Sequence, residues 1–352
     1  NNLCELIDLK KISSLSPGSD WIKLKTIEAH TGGEPLRVIL SGYPSLKGRT
    51  ILDKREEINK EFDHLRTSLM WEPRGHIDMY GALLVEPEKT TSDIGVIFMH
   101  NSGYSTGCGH AVIALTKIIV ESGAVEIKDP VTEIVMDVPS GQIKSFAKIS
   151  NKKVESVYFE NVPSFVQELG AIIDVPSLGK VEYDLAFGGA FYAIVDIKQL
   201  NVNLEIAQLN QIISIGKKIK KRISERVDCV HPFEKEMNFL YGVIFVDNSF
   251  SQKFHSKNIC IFANGELDRS PTGTGVSARA AVEFAKENLD SNNYMVVESI
   301  TGSKFNVRIK KKTKLGKHKA IIPEVSGTSF ITGKSTFWVD PKDDLGKGFL
   351  LA

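Results

Sequence analysis

Three glycine-centred landmarks occur twice along the chain, in the same order and at separations close to half the chain length. The matched pairs are Gly32-Gly33 with Gly188-Gly189, CGHAV at 108–112 with TGTGV at 272–276, and Ser140-Gly141 with Thr301-Gly302. Chance is the alternative in a chain with 28 glycines, but the flanking patterns agree as well as the order. The repeat therefore predicts two homologous halves, each of strand–turn–strand–helix–hairpin type.

Length and charge are consistent with two domains that act on a small molecule. The chain has 352 residues and a net charge of +1, so nothing indicates attraction to nucleic acid or to an anionic membrane. The basic run KKIKKR at 217–222 is interpreted as the solvated end of an amphipathic helix predicted over 204–223. The longest apolar stretch, at 111–120, contains Lys117 and is too short to cross a bilayer. We expect neither a nucleic-acid partner nor a membrane partner.

Cysteine and histidine spacing gives no sign of a disulfide framework or a metal site. The four cysteines, Cys4, Cys108, Cys229 and Cys260, are scattered, and neither a CxxC pair nor an HExxH motif is present. We therefore expect no metal, and a reducing compartment, the cytoplasm. Residues 1–19 lack the pattern of a signal peptide and are predicted to be a loose tail.

Two glycine-rich loops contain the candidate catalytic residues. Each loop follows a segment typical of a buried strand, IGVIFMH or NICIFA, and precedes a predicted helix, at about 110–121 or 275–288. The first loop places Cys108 at a helix N-terminus, where free N–H groups and the helix dipole lower a thiol pKa. Cys108 is thus a candidate base or nucleophile, the alternative being a buried structural cysteine. Cys4, Cys229 and Cys260 fit that structural role better.

The second loop, DRSPTGTG, has Thr272 where the first has Cys108. A threonine hydroxyl does not ionise near neutral pH and cannot act as the equivalent base. If the two loops face each other, their helix N-termini would form a double cradle for a carboxylate. Asp268 could then hold a substrate amine, although an aspartate before a turn is equally explained as a capping residue.

Several sequence blocks resemble those of the proline racemase family. They are EPRGHIDMYGA at 72–82, GYSTGCGHAVIAL, FGGAFYA and DRSPTGTGVSAR, and the resemblance runs from about Thr26 to the C-terminus. It implies the α/β (α+β) fold of diaminopimelate epimerase: two pseudo-symmetric halves, each a curved sheet around a central helix, with the active site in the cleft between them. We place the first half at 20–178 plus 335–352 and the second at 179–334. Family members are commonly homodimers, so we expect a homodimer.

Thr272 departs from the racemase pattern, in which a cysteine from each loop acts on opposite faces of the substrate. The exchange resembles the family's trans-3-hydroxy-L-proline dehydratases, which form Δ1-pyrroline-2-carboxylate without a cofactor. In that substrate the 3-hydroxyl lies on the same face as the α-hydrogen. One residue can therefore both remove the α-proton and protonate the leaving hydroxyl. We expect Cys108 to be the proton acceptor.

The resemblance also implies a set of substrate-binding residues. Gly109, His110, Gly273 and Thr274 would hold the substrate carboxylate, Asp268 the ring nitrogen, and Tyr80 and Phe262 would wall the pocket. Packing in the core explains Tyr80 and Phe262 equally well. His110 could bind the carboxylate through its backbone N–H alone. Residues 74–78 are interpreted as a possible salt-bridge and turn network. His30 and Glu34 receive no catalytic role.

Two other functions stay open at this stage. A racemase or epimerase of proline or 4-hydroxyproline would need a second acid, which Thr272 does not supply. A non-catalytic imino-acid-binding protein would keep the cradle but would have little reason to keep Cys108.

Overall fold

The structure is a computed structural model that describes residues 7–249 and 255–351, so Cys4 lies outside the described part. Within the described residues, eighteen strands form one continuous hydrogen-bonded sheet. They are β1 (Ile22–Thr31), β2 (Glu34–Ser41), β3 (Tyr80–Val85), β4 (Ile94–His100), β5 (Gly103–Ser105), β6 (Val131–Val138), β7 (Gly141–Ser150), β8 (Lys153–Glu160), β9 (Ser164–Val175), β10 (Gly179–Phe187), β11 (Phe191–Asp196), β12 (Leu240–Asp247), β13 (His255–Phe262), β14 (Glu266–Asp268), β15 (Tyr294–Glu298), β16 (Lys304–Leu315), β17 (His318–Gly327) and β18 (Ser329–Val339).

The α-helices of the described part are fewer. They are α1 (Leu9–Ser13), α2 (Ile51–Glu57), α3 (Asp63–Met70), α4 (Gly109–Glu121), α5 (Leu209–Ser224) and α6 (Gly273–Ala285). A π-helical segment, Ile58–Phe62, joins α2 to α3, and short 3₁₀ turns occupy Ile197–Gln199, Ile206–Gln208 and Lys235–Met237. Helix α1 lies in the segment predicted to be a loose tail, and it buries none of its residues. None of the helices in the described part is long and apolar enough to span a bilayer.

Strand pairing confirms the predicted duplication. In the first repeat, β1–β2 is antiparallel, β2–β3 parallel, β3–β4 antiparallel and β4–β6 parallel, and β6, β7 and β8 form an antiparallel meander. The second repeat shows the same orientations in β10–β11, β11–β12, β12–β13 and β13–β15, followed by the β15, β16, β17 meander. Two pseudo-symmetric α/β halves are therefore present, as expected.

The two repeats exchange their last strands. Strand β9, which follows the first repeat in sequence, pairs antiparallel with β10, while β18 returns to pair with β1. Strands β8 and β17 pair directly with each other. Strand β9 therefore hydrogen-bonds to the second repeat, although it follows the first in sequence. The predicted division of the chain at 178/179 and 334/335 stays a prediction.

Each curved sheet wraps around one central helix. Helix α4 is apolar on nearly every side, and it packs against β1, β2, β7, β8 and β18. Helix α6 is enclosed in the same way by β9, β10, β11, β16 and β17. Helix α5 instead lies on the outside, with Ile212, Ile219 and Ile223 buried against the sheet and Lys217 and Lys221 exposed. The basic run is therefore the solvated end of an amphipathic helix, as predicted.

Candidate active site

The first residues of the two central helices meet. A Cβ built on Gly109 would lie 2.5 Å from Cα of Gly273, and a Cβ built on Gly273 would lie 2.5 Å from Cα of Gly109. Real Cβ atoms do not approach other atoms this closely, so both positions require the absence of a side chain. The two helix N-termini, each a favourable environment for an anion, are thereby brought to one point between the halves.

A cavity opens where the helices meet. All the site residues predicted from the sequence line it: Tyr80, Cys108, Gly109, His110, Phe262, Asp268, Thr272, Gly273 and Thr274. Five further residues complete the lining, namely Glu34, Gly107, Tyr192, Tyr241 and Cys260. The structure thus gathers the whole predicted set in one place, while the role of each residue stays a prediction.

Cys108 is the N-cap residue of α4 and is only 6% exposed. Its Sγ lies 3.1 Å from Nδ1 of His110. Burial raises the pKa of the thiol well above its usual value, and the charges of Asp268 and Glu34 add to that rise. A backbone hydrogen bond from Ala111 acts in the opposite direction but is outweighed. The expected lowering of the Cys108 pKa is therefore not found, because burial opposes the helix N-terminus.

His110 contributes its side chain as well as its backbone. Burial lowers the pKa of the imidazole to about 3, so the ring is neutral. Nε2 lies 3.3 Å from the carbonyl oxygen of Pro35, and because a carbonyl only accepts, Nε2 carries the hydrogen. Nδ1 is then free to accept a hydrogen bond from the Cys108 thiol, and this contact fixes where the sulfur lies.

Thr272 occupies the position equivalent to Cys108, as the N-cap residue of α6, but with a different backbone conformation. Its φ is +69°, a left-handed conformation that strains a β-branched residue. Its backbone N–H donates to Oγ of Ser270 at 3.1 Å. Within the described residues its buried Oγ1 has no hydrogen-bond partner. Thr272 therefore presents a hydroxyl to the cavity in a conformation that the surrounding fold must hold.

Two carboxyl groups reach the cavity from strand ends, since Glu34 begins β2 and Asp268 ends β14. Asp268 accepts a hydrogen bond at Oδ1 from the backbone N–H of Ser270, and Glu34 accepts one at Oε2 from the backbone N–H of Arg269, both at 2.7 Å. Burial raises the pKa of Asp268 to about 6. The pKa of Glu34 is raised well above its usual value by burial, and next by the charge of Asp268. Burial therefore disfavours the ionised forms of these two carboxyl groups.

Aromatic rings form one wall of the cavity. Tyr80 meets His110 edge-on with ring centroids 4.8 Å apart, and Tyr241 stacks on Phe262 at 5.4 Å. The Tyr80 hydroxyl is hydrogen-bonded to Oγ of Ser105. Tyr80 and Phe262 are each 3% exposed, so they pack in the core and also face the cavity. Their position agrees with both explanations weighed from the sequence, and a role in substrate binding stays a prediction.

The residues that the sequence did not assign had weak signals of their own. Glu34 directly follows Gly32-Gly33, the first of the repeated landmarks. Cys260 is buried as expected of a structural cysteine, but it also faces the cavity. Its register opposite Asp268 in the β13–β14 pair places it there, and such register is not evident from the sequence.

The segment at 74–78 forms the structural network that was considered for it. Arg74 donates to the carbonyl oxygens of Trp338 and Gly346, and Asp78 pairs with Arg269 across the two halves at 3.2 Å. In the described part, no group of three or more His, Cys, Asp or Glu side chains is arranged to hold a metal ion. The expectation that the protein uses no metal stays a prediction.

The sequence is similar to proteins of one family, including several with dehydratase names. The sequence profile described as "Proline racemase" matches residues 26–350. A trans-3-hydroxy-L-proline dehydratase of Colwellia psychrerythraea is 47% identical, covering 94% of this chain and 93% of the relative. Other relatives, from Bacillus cereus and Xenopus tropicalis, are 44% and 41% identical and carry dehydratase names as well.

Relatives with racemase and epimerase names are also similar to this chain. A proline racemase of Acetoanaerobium sticklandii is 40% identical, covering 93% of this chain and 98% of the relative. Among solved structures, a hydroxyproline epimerase from Agrobacterium vitis with bound trans-4-hydroxy-L-proline superimposes with a TM-score of 0.90. It is 30% identical, and the match covers 95% of this chain and 96% of the epimerase. Family membership alone therefore does not choose between elimination and epimerisation.

Proposed function

The chain belongs to the proline racemase family, and from that premise we propose that it dehydrates trans-3-hydroxy-L-proline to Δ1-pyrroline-2-carboxylate. The enzyme is then a hydro-lyase that acts on a small imino acid. Full-length relatives with dehydratase names, at 41–47% identity, support this assignment.

The difference between Cys108 and Thr272 favours elimination over epimerisation. Cys108 and Thr272 take equivalent positions, at the starts of α4 and α6, and both face the same cavity. An epimerase must remove a proton from one face of the α-carbon and return one to the other. At these positions only the first half offers a thiol. The Thr272 hydroxyl of the second half is too weak an acid to protonate the opposite face of the α-carbon, so epimerisation lacks its second step.

Substrate binding uses the charges of the cavity. The N–H groups of Gly109, His110, Gly273 and Thr274 at the two helix N-termini hold the carboxylate. Asp268 accepts a hydrogen bond from the ring ammonium. The ammonium also offsets the negative charge of Asp268 and Glu34, both of which raise the Cys108 pKa. Substrate therefore favours formation of the thiolate that the reaction needs.

The elimination takes place on one face of the ring. The Cys108 thiolate removes the α-proton and becomes a thiol, which can then donate a hydrogen bond to Nδ1 of His110. Charge that develops on the substrate carboxylate is stabilised by the N–H groups of both helices. The 3-hydroxyl, on the same face, leaves as water with one proton, for which the Cys108 thiol is a donor in reach. The resulting enamine tautomerises to the cyclic imine, so the atoms balance without an oxidant or reductant.

The proposal includes three finer statements. The catalytic group is a cysteine, and no cofactor takes part, because proton transfer alone accounts for the change. The protein works as a homodimer, as is common in the family. It resides in the cytoplasm, which is consistent with the free, buried thiols of Cys108, Cys229 and Cys260.

A second candidate function is epimerisation of proline or 4-hydroxyproline. The observation that favours it is the thiol of Cys260, which lines the same cavity and belongs to the second half. If that thiol reached the α-carbon from the face opposite Cys108, it would supply the second acid that Thr272 lacks. A racemase name on one relative agrees with this alternative.

Proton NMR in D2O distinguishes these functions. The purified protein is incubated with trans-3-hydroxy-L-proline, L-proline or trans-4-hydroxy-L-proline. We expect Δ1-pyrroline-2-carboxylate from the first compound alone. Inversion with α-deuteration of either other compound, without elimination, would establish the epimerase instead. Binding without turnover of any compound would leave an imino-acid-binding protein.

A further inference from the structure

The carboxyl groups of Glu34 and Asp268 are held side by side by one loop. Consecutive backbone N–H groups, those of Arg269 and Ser270, each donate a hydrogen bond of 2.7 Å to one oxygen of Glu34 and of Asp268 respectively. Glu34 is the first residue of β2, in the first half, and Asp268 is the last residue of β14, in the second. The two carboxyls therefore meet across the cleft, and both line the cavity.

Glu34 has one oxygen that the fold does not use. The residue is fully buried, and its Oε1 has no hydrogen-bond partner among the described residues. A buried carboxyl oxygen without a partner costs free energy, so such an oxygen needs an explanation. Burial and the neighbouring Asp268 charge also raise the Glu34 pKa. A nearby cation would stabilise the ionised form of this carboxyl.

Arg269 does not provide that cation. Its guanidinium approaches Glu34 only at Oε2, at 3.8 Å, whereas it lies 3.2 Å from Asp78. The guanidinium is also about one-third exposed, outside the cavity lining. Its backbone N–H already satisfies Oε2, so Oε1 stays available to whatever occupies the cavity.

A cyclic imino acid brings a matching group. Its ring nitrogen is a secondary ammonium, which has two N–H bonds and is fully satisfied only by two acceptors. Asp268 accounts for one acceptor in the proposed function. We propose that Glu34 is the second, so that Glu34 and Asp268 together form a two-carboxyl site for the secondary ammonium of the substrate. This inference rests on the proposed function and adds to it a residue that selects for the charge and hydrogen count of the ring nitrogen.

The test compares ligands that differ at the nitrogen. L-Proline has two ammonium N–H bonds, N-methyl-L-proline has one, and pyrrole-2-carboxylate has a single neutral N–H. Their dissociation constants are measured by calorimetry for the wild type, for Glu34→Gln and for Glu324→Gln. Glu324 is a matched control because it is a largely buried glutamate that pairs with Arg308 and lies outside the cavity lining.

We expect Glu34→Gln to weaken L-proline at least about tenfold, as for loss of a hydrogen bond between charged groups. Pyrrole-2-carboxylate should change less than about threefold, because it has no second N–H and no ammonium charge. The preference of the wild type for L-proline over N-methyl-L-proline should also disappear in Glu34→Gln, and Glu324→Gln should behave as the wild type throughout.

Other results would overturn the inference in recognisable ways. Equal weakening of L-proline and pyrrole-2-carboxylate would show that Glu34 only shapes the cavity. Unchanged binding of L-proline would show that it does not contact the ammonium. If Glu34→Gln does not fold, a wild type that binds L-proline and N-methyl-L-proline equally would refute the two-acceptor site. Failure of the wild type to form Δ1-pyrroline-2-carboxylate from trans-3-hydroxy-L-proline would contradict the proposed function itself, and it is measured separately from the binding comparison.

Discussion

Gly109 and Gly273 touch across the pseudo-symmetry axis, each occupying the space where the other would place a Cβ atom. This contact brings the two helix N-termini close enough to act on one carboxylate. It also makes the spacing of the two halves depend on the absence of two side chains.

Gly273→Ala should therefore disrupt both the site and the fold. The added methyl group would lie 2.5 Å from Cα of Gly109, so the helices must move apart. We expect a loss of about 1 to 3 kcal/mol in the free energy of unfolding, as for overpacked cores, and at least a hundredfold loss of kcat/KM, since a displacement of about 1 Å costs that much. Urea denaturation and steady-state kinetics measure the two effects. Gly333→Ala is the control, because a Cβ there meets no atom within 4 Å. Full activity in Gly273→Ala would show that the contact is not required.

The two cavity cysteines should respond very differently to replacement by serine. Cys108→Ser removes the proposed base, and general-base groups contribute roughly 10² to 10⁴ in rate. We therefore expect kcat for dehydration to fall by about that factor while the substrate still binds. Cys260→Ser is the matched control, a buried cavity cysteine without an assigned proton transfer, and it should stay within about threefold of the wild type. The opposite pattern would transfer the role of base to Cys260.

Thr272→Cys should introduce a second acid on the opposite side of the cavity. The variant is expected to gain epimerisation of L-proline or trans-4-hydroxy-L-proline, detected as inversion with α-deuteration by NMR in D2O. Cysteine also lacks the β-branch that is strained at a φ of +69°, so the free energy of unfolding should not fall. Thr272→Ser serves as the control that keeps a hydroxyl and should gain no epimerisation. No epimerisation in Thr272→Cys would mean that other positions also enforce the choice of reaction.

The pH profile of kcat/KM should rise in two steps. Asp268 must be ionised to accept the substrate ammonium, and burial raises its pKa to about 6. Cys108 must lose its proton as well, and its pKa lies well above the usual thiol value. Below pH 6 both protons must leave, so log kcat/KM should rise with a slope near 2, and above pH 6 with a slope near 1. A flat profile between pH 7 and 9 would contradict the protonated thiol.

Asp268 should also destabilise the fold at neutral pH. Its pKa is raised by folding, so its favourable contribution is complete below the unfolded value and is lost as pH rises through about 6. The shift from 3.8 corresponds to about 3 kcal/mol as an upper value. Asp268→Asn keeps an oxygen that accepts the hydrogen bond from Ser270 but removes the charge. We expect it to be inactive, yet more stable than the wild type to urea at pH 8. The difference should shrink at pH 5, and a variant less stable than the wild type at pH 8 would refute this account.

Much of the fold was accessible from the sequence because its signals are local and repeated. The paired glycine landmarks predict the duplication, and the largely apolar pattern at 111–120 is typical of a buried helix. The positions of Cys108 and Thr272 at matching helix starts follow from the same repeat. All the predicted site residues therefore lie in one cavity.

Other features depend on contacts between residues far apart in the chain, and only the tertiary structure decided them. The exchange of β9 and β18 between the halves has no local signature. Glu34 becomes part of the site because the turn before β2 lies against the loop at Arg269, and Cys260 because of its strand register. The direction of the Cys108 pKa shift was decided by burial and by two carboxylates from other segments. A sequence specifies which groups a chain carries and their local conformation, whereas desolvation and charge proximity arise only when distant segments pack together.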